Sequence, residues 1–256
     1  MARRLLAAGI CVSVALLCGG CSENKEVSEQ KKRLKSKSPA VRKEAAKEIA
    51  RLGTEATGAI PDLQTALRDE SPDVRAEAAI ALAAMGAEAK DAVPDLIAVL
   101  KEEGNQKVFR SAAIALSKME QAAAPAVPQL ATALENSDPQ IRGYAILTLG
   151  KIGAEAKLTA DRLAKIVVAQ DNADWVRARA ARAIGEIGTG ASSAIPQLTQ
   201  ALRDENHSVR AEAVWALGEM GPLARDAAPA IRDLIRVEPV GPTRDLAREV
   251  LKKIGA

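Results

Sequence analysis

Apolar residues along this chain recur at positions 0, 4, 8 and 11 of a unit that returns seven times. The units start at Val41, Val74, Val108, Ile141, Val176, Val209 and Thr243, with spacings of 33, 34, 33, 35, 33 and 34 residues. In the second unit the stripe is Val74, Ala78, Leu82 and Met85; in the sixth it is Val209, Ala213, Leu217 and Met220. That spacing draws one face of a 3.6-residue helix. Position 12 is glycine in six units, Gly53, Gly86, Gly153, Gly188, Gly221 and Gly255, as expected just past a helix C-terminus. The third unit carries Glu120 there. Upstream lies a shorter apolar pattern led by proline: Ile60-Pro61-Asp62-Leu63 with Leu67, Val93-Pro94-Asp95-Leu96 with Leu100, and likewise at Pro128 and Pro196. Proline suits the first turn of a helix, where its missing N–H is not needed. Each repeat therefore reads as a helix A opened by proline, a tight turn, and a helix B closed by glycine. Neither helix can bury its stripe alone, so stacked neighbours must form the core.

The phrases VRAEAAIALAAMG at Val74 and VRAEAVWALGEMG at Val209 resemble the short HEAT-like repeat of phycobilin lyase subunits, over roughly residues 25 to 256. The resemblance implies an all-α, right-handed α-solenoid of about seven HEAT-like helix pairs, the array proper occupying residues 39–256. Tetratricopeptide arrays share the period but need bulky aromatic positions, and this chain has two Trp, one Tyr and one Phe. Ankyrin arrays need a TPLH-type turn, which is absent. In HEAT arrays an Asp in the intra-repeat turn and a basic residue early in helix B form a hydrogen-bonded ladder. The resemblance gives that role to Arg42, Arg75, Arg142, Arg177, Arg210 and Arg244, with Asp69, Asn136, Asp171 and Asp204. The third repeat breaks the ladder with Phe109, followed by Arg110, after a longer turn that contains Gly104. The fifth has a longer turn, from Val168 to Trp175, and Asp161 in place of the helix-A proline.

Residues 1–20 have another character. Arg3 and Arg4 are followed by an apolar run from Leu5 to Leu17 and then Gly19-Gly20-Cys21. This is the form of a signal peptide, too short for a membrane span. Small residues directly before Cys21 resemble a bacterial lipobox, with Cys18 where that family prefers Leu. The resemblance implies lipidation at Cys21, export, and a membrane-anchored lipoprotein facing the periplasm or cell surface, held by more than one acyl chain. Residues 21–38 would be the lipid attachment and a polar tether or N-cap, with Val27 and Leu34 marking a short first helix A. Cys11, Cys18 and Cys21 are the three cysteines, so the body of the chain has no disulfide framework.

Without residues 1–20, 34 basic residues face 33 acidic ones, which offers no basic excess for nucleic acid. There is one histidine, His207, in a turn, and no CxxC, HExxH, Walker or strand-borne GxGxxG motif. No Ser or Cys has a histidine partner placed for a triad. The His-Glu pairs of HEAT-like deoxyhypusine hydroxylases are missing. No catalytic residue, cofactor or metal site is expected, and the chain reads as a non-enzyme.

Position 6 lies opposite the core stripe and is usually polar in the resembled family. Here it is Lys47, Ile80, Ile114, Leu147, Arg182, Trp215 and Glu249, with Tyr144 beside Leu147. If helices B line the concave side, Ile80, Ile114, Tyr144, Leu147 and Trp215 form an apolar strip along the groove, and such strips mark partner sites. Lys118, Lys151, Arg179, Glu212 and Glu219 rim it, and Lys151, Arg179 and Arg182 would select acidic groups. The expected function is a non-catalytic scaffold at the bacterial envelope that holds a protein or peptide in this groove. The alternatives are small-molecule, bilin-like binding, an accessory role to an enzyme, or a structural spacer.

Overall fold

The computed structural model describes residues 25–102 and 104–256. The signal peptide and Cys21 lie outside the described residues, so their reading stays an expectation. Among the described residues fourteen α-helices follow one another in seven pairs. The A helices are α1 (Lys25–Arg33), α3 (Ile60–Ala66), α5 (Val93–Glu102), α7 (Val127–Ala133), α9 (Ala160–Val168), α11 (Ile195–Ala201) and α13 (Ala228–Val237). The B helices are α2 (Pro39–Leu52), α4 (Pro72–Met85), α6 (Gln106–Met119), α8 (Pro139–Ile152), α10 (Asp174–Ile187), α12 (His207–Met220) and α14 (Pro242–Lys253). Among the described residues there is no strand, and no helix is long and apolar enough to cross a membrane.

The stripe that defines the repeat is the core: Val74, Ala78, Leu82 and Met85 are buried, as are Val209, Ala213, Leu217 and Met220. Helix α1 packs on α2 and buries Val27, with Leu34 just beyond its end. Between each helix B and the next helix A runs a seven-residue 310 segment, such as Gly53–Ala59 or Gly86–Ala92, which the helix-pair reading passed over. Its signature is legible afterwards. Alanines stand three and six residues after the glycine, as in Ala56 and Ala59, Ala89 and Ala92, Ala191 and Ala194, and all are buried. A 310 helix has three residues per turn, so this spacing puts both methyl groups on one inward edge.

At the junction the chain must leave the α-helix sharply. The glycines there have φ of +56° to +76°, with ψ between −129° and −150° where helix B passes into a 310 segment. A Cβ is poorly tolerated in that conformation. Glu120 adopts it nonetheless, at φ +48° and ψ −124°, and the third repeat carries backbone strain of roughly 1–3 kcal/mol that its neighbours avoid.

Successive B helices pack closely along their length, whereas successive A helices touch sparingly. The stack therefore curves toward the B side, which is concave. Small residues allow this approach: Ala76, Ala79, Ala81 and Ala113 are buried between B helices.

The arginine ladder runs between repeats. Arg177 donates from Nε and Nη2 to the two carboxylate oxygens of Asp204, 27 residues on, at 3.1 and 2.9 Å, while its Nη1 donates to the carbonyl of Asn172 in its own turn at 2.7 Å. Arg42 grips Asp69 the same way, at 2.6 and 2.8 Å, and Arg210 grips Glu238 at 2.7 and 3.0 Å. One guanidinium thus closes its own turn and clamps the next. Burial alone would raise the Asp204 and Asp69 carboxyls, but the arginine forks and the backbone N–H groups of Asn206 and Ser71 outweigh it and hold both below the usual carboxylate range. Sequence reasoning put Asp171 in this ladder. The longer turn of the fifth repeat instead leaves Asp171 exposed and outside it, and Ala169 stands 27 residues after Arg142.

Candidate partner-binding groove

Position 6 of each B helix faces the concave side, because the stripe opposite it is committed to the core. Ile80 is 37% exposed, while Ile114, Leu147, Trp215 and Tyr144 are half-buried. These side chains are thus mostly partly covered rather than open. The geometry beneath the aromatic residues explains why. A Cβ added at Gly185 would come within 2.4 Å of Trp215 Cζ3, and one at Gly143 within 2.3 Å of Trp175 Cζ3. Each indole therefore occupies, with its six-membered ring, the space a side chain would take at a glycine of the preceding helix B. Each also carries a guanidinium: Arg182 sits 5.0 Å from the centroid of Trp215, and Arg179 sits 5.1 Å from that of Trp175. Such stacks are favourable and stiffen the ring. Trp175, 36% exposed, is half of the second such stack. The signal available in the sequence was a glycine inside helix B, where helices disfavour it, one repeat before each tryptophan.

The cations expected to select acidic groups have other engagements. Lys151 Nζ lies 2.7 Å from Glu186, and Arg182 lies 3.6 Å from Glu186 and 3.3 Å from Glu212. Lys253 pairs with Glu219 at 2.9 Å. Arg179 is stacked on Trp175 and has no acidic partner among the described residues; the same holds for exposed Arg110 and Lys118. The open cations of the groove therefore belong to repeats three to five, around Ile114, Tyr144 and Leu147. Beside them an open hollow of about 380 Å³ is lined by Gly150, Lys151, Gly185, Glu186, Trp215 and Glu219.

His207 lies at the turn edge, exposed, with Nε2 2.9 Å from Thr243 Oγ1 and 3.9 Å from Glu238. Among the described residues no group of three or more His, Cys, Asp or Glu side chains is placed to hold a metal ion.

The model of HEAT repeats matches residues 30–117, 93–167 and 160–252. No curated protein matches the chain. Among solved structures, an engineered protein superposes with a TM-score of 0.64 at 26% identity, covering 76% of this chain and 96% of its own. The complex of CpcE and CpcF of phycocyanin lyase from Nostoc sp. PCC7120 gives 0.54 at 21% identity, over 98% of this chain and 100% of the matched one. Computationally designed armadillo repeat proteins for modular peptide recognition give 0.53 at 16%, over 90% and 100%.

Proposed function

Since the chain belongs to the HEAT-repeat family, we propose that it is a non-catalytic scaffold that holds a protein or peptide segment along its concave B-helix face, exported and tethered by lipid at Cys21. The observation that carries this reading is the row of partly open apolar residues at position 6, Ile80, Ile114 and Leu147, running across successive repeats where a solvated face would be polar. Arg110, Lys118 and Arg179 favour a segment with acidic groups beside its apolar anchors. The peptide-recognising armadillo designs share the solenoid architecture, which makes such a groove a workable peptide platform. Their low identity supports the fold alone.

The test uses variants chosen to leave packing intact. Ile80→Asp with Leu147→Asp is expected to abolish capture of the envelope partner while helicity and melting stay as in the wild type. Unchanged capture would sink the groove reading. Trp215 is the poorer probe, because it is seated on Gly185 and its removal opens the inter-repeat seam. The tether is tested separately: fatty-acid labelling should mark the wild type and spare Cys21→Ser. The second reading, a bilin-like ligand, draws on the likeness to the phycocyanin lyase complex and predicts visible absorbance in the purified protein.

A further inference from the structure

The ladder has a rung that its own chain leaves unfilled. Arg142 begins helix α8 in the register of Arg42, Arg177 and Arg210. Like them it closes its own turn, with Nη1 donating to the carbonyls of Asn136 at 2.7 Å and Ser137 at 3.0 Å. In the sister rungs the remaining edge of the guanidinium, Nε with Nη2, receives both oxygens of one carboxylate. At Arg142 the residue 27 positions on is Ala169, whose side chain has no acceptor. Arg142 Nε is buried without a hydrogen-bond partner, and Nη2 makes no hydrogen bond among the described residues. Of that edge Nε is closed off while Nη2 is not, and the side chain as a whole is half-buried, so a carboxylate meets Nη2 first and reaches Nε as the residues covering it give way. Nearby acids do not fill the gap: Asp171 is exposed and Asp204 is held by Arg177. Arg244, in the last described repeat, also has a buried, unpartnered Nε.

We propose that the Nε–Nη2 edge of Arg142, at the turn edge between the fourth and fifth repeats, is a receptor for a single carboxylate supplied by a binding partner, which completes the ladder in trans. The chemistry is that of the sister rungs, a planar fork matching two oxygens, so phosphate-free carboxylates suffice as ligands. The source is an acidic side chain or a chain terminus. The site lies apart from the concave strip, and its existence does not depend on the groove being occupied.

The test is side-chain NMR of the full exported chain with ¹⁵N-labelled arginine, the Arg142 Nε–H signal being assigned by its loss in Arg142→Lys. Sodium acetate is expected to move that signal saturably, whereas sodium chloride at equal ionic strength does not, and the signals of Arg42, Arg177 and Arg210 stay in place. N-acetylaspartyl amide moving it further than N-acetylglycine would mark a side-chain source, and the reverse order a chain terminus; either supports the proposal. Ala169→Asp should place the signal at its bound position without ligand, raise the melting temperature, and remove the response to acetate. A response no larger than that to chloride, or an Ala169→Asp variant whose Arg142 signal and melting temperature are unmoved, would overturn it.

Discussion

The seam between the fifth and sixth repeats and the seams on either side of the fourth join the same kinds of helix with different chemistry. At the first, Arg177 and Asp204 are both nearly inaccessible, with side chains 4% and 2% exposed, and every edge of the guanidinium is used. At the seam before the fourth repeat, Phe109 replaces the arginine and Asn136 the acid, and a hollow of about 560 Å³ opens beside Phe109, Leu100 and Ile141. At the seam after it, the arginine is present and its acid is not. The third repeat also holds Glu120 where its neighbours have glycine. The stack continues through all of these, because the apolar stripe is unbroken: Val108, Ala112, Leu116 and Met119 are as buried as their counterparts. The ladder therefore is not what makes repeats stack. Buried ion pairs seldom add net stability over apolar packing, but they penalise every alternative geometry, so the ladder's role is to hold register.

The largest effect should come from breaking a complete rung. Arg177→Ala leaves Asp204 buried with its charge uncompensated, and denaturant unfolding should show a loss of about 3–5 kcal/mol, with the outer repeats unfolding separately from the rest. If the loss is under about 1 kcal/mol, the rung is solvated in solution and the contrast between seams disappears.

Acid probes the same rungs without mutation. Asp69 and Asp204 titrate below the ordinary unfolded value near 3.9, so their stabilisation is complete above that pH and is lost as pH falls through their lower, folded values. Melting temperature followed from pH 5 downward should fall more steeply in the wild type than in Asp204→Asn. Parallel curves would mean that these carboxylates carry no special weight.

Next in size is the strained junction. Glu120→Gly should stabilise the chain by about 1–2 kcal/mol, since it removes a Cβ from a conformation that disfavours one. Gly86→Ala, at the corresponding place in the second repeat, should cost a similar amount. A Glu120→Gly variant no more stable than the wild type would show that the third repeat relaxes at that junction.

Much of this architecture was legible, and the illegible parts share a cause. The stripe, repeated seven times, the closing glycines of six units and the helix-A prolines of fewer still are local signals, so helix pairs and stacking followed from spacing alone. The ladder arginines were visible too, but a one-dimensional pattern placed their partners in the same turn, whereas the long guanidinium reaches the next repeat. The 310 segments were missed because a period of three over seven residues shows only two alanines. In the groove, the position-6 residues Ile114, Leu147 and Trp215 are half-buried, which the helical wheel alone does not show. What could not be read was which cations were already engaged: Lys151 meets Glu186 only because curvature brings position 10 of adjacent helices together. The seating of Trp175 and Trp215 on glycines likewise depends on inter-helix distance, which sequence spacing does not contain.

The smallest net change is expected of a double variant, and it is the most discriminating one. Phe109→Arg alone removes a buried ring and points a guanidinium at Asn136, an amide that can accept with one oxygen but cannot balance a charge, and should destabilise by about 2–3 kcal/mol. Asn136 is exposed, so Asn136→Asp alone should change stability by less than about 1 kcal/mol. Together they rebuild the rung seen at Arg177, so the double variant should return to within about 1 kcal/mol of the wild type, with a coupling energy above about 1 kcal/mol. That outcome would mean that Phe109 and a complete rung are nearly equivalent for stability and differ in register. Additive losses would instead mean that the seam before the fourth repeat has a shape no rung can occupy, and that Phe109 is required there by the longer turn that precedes it.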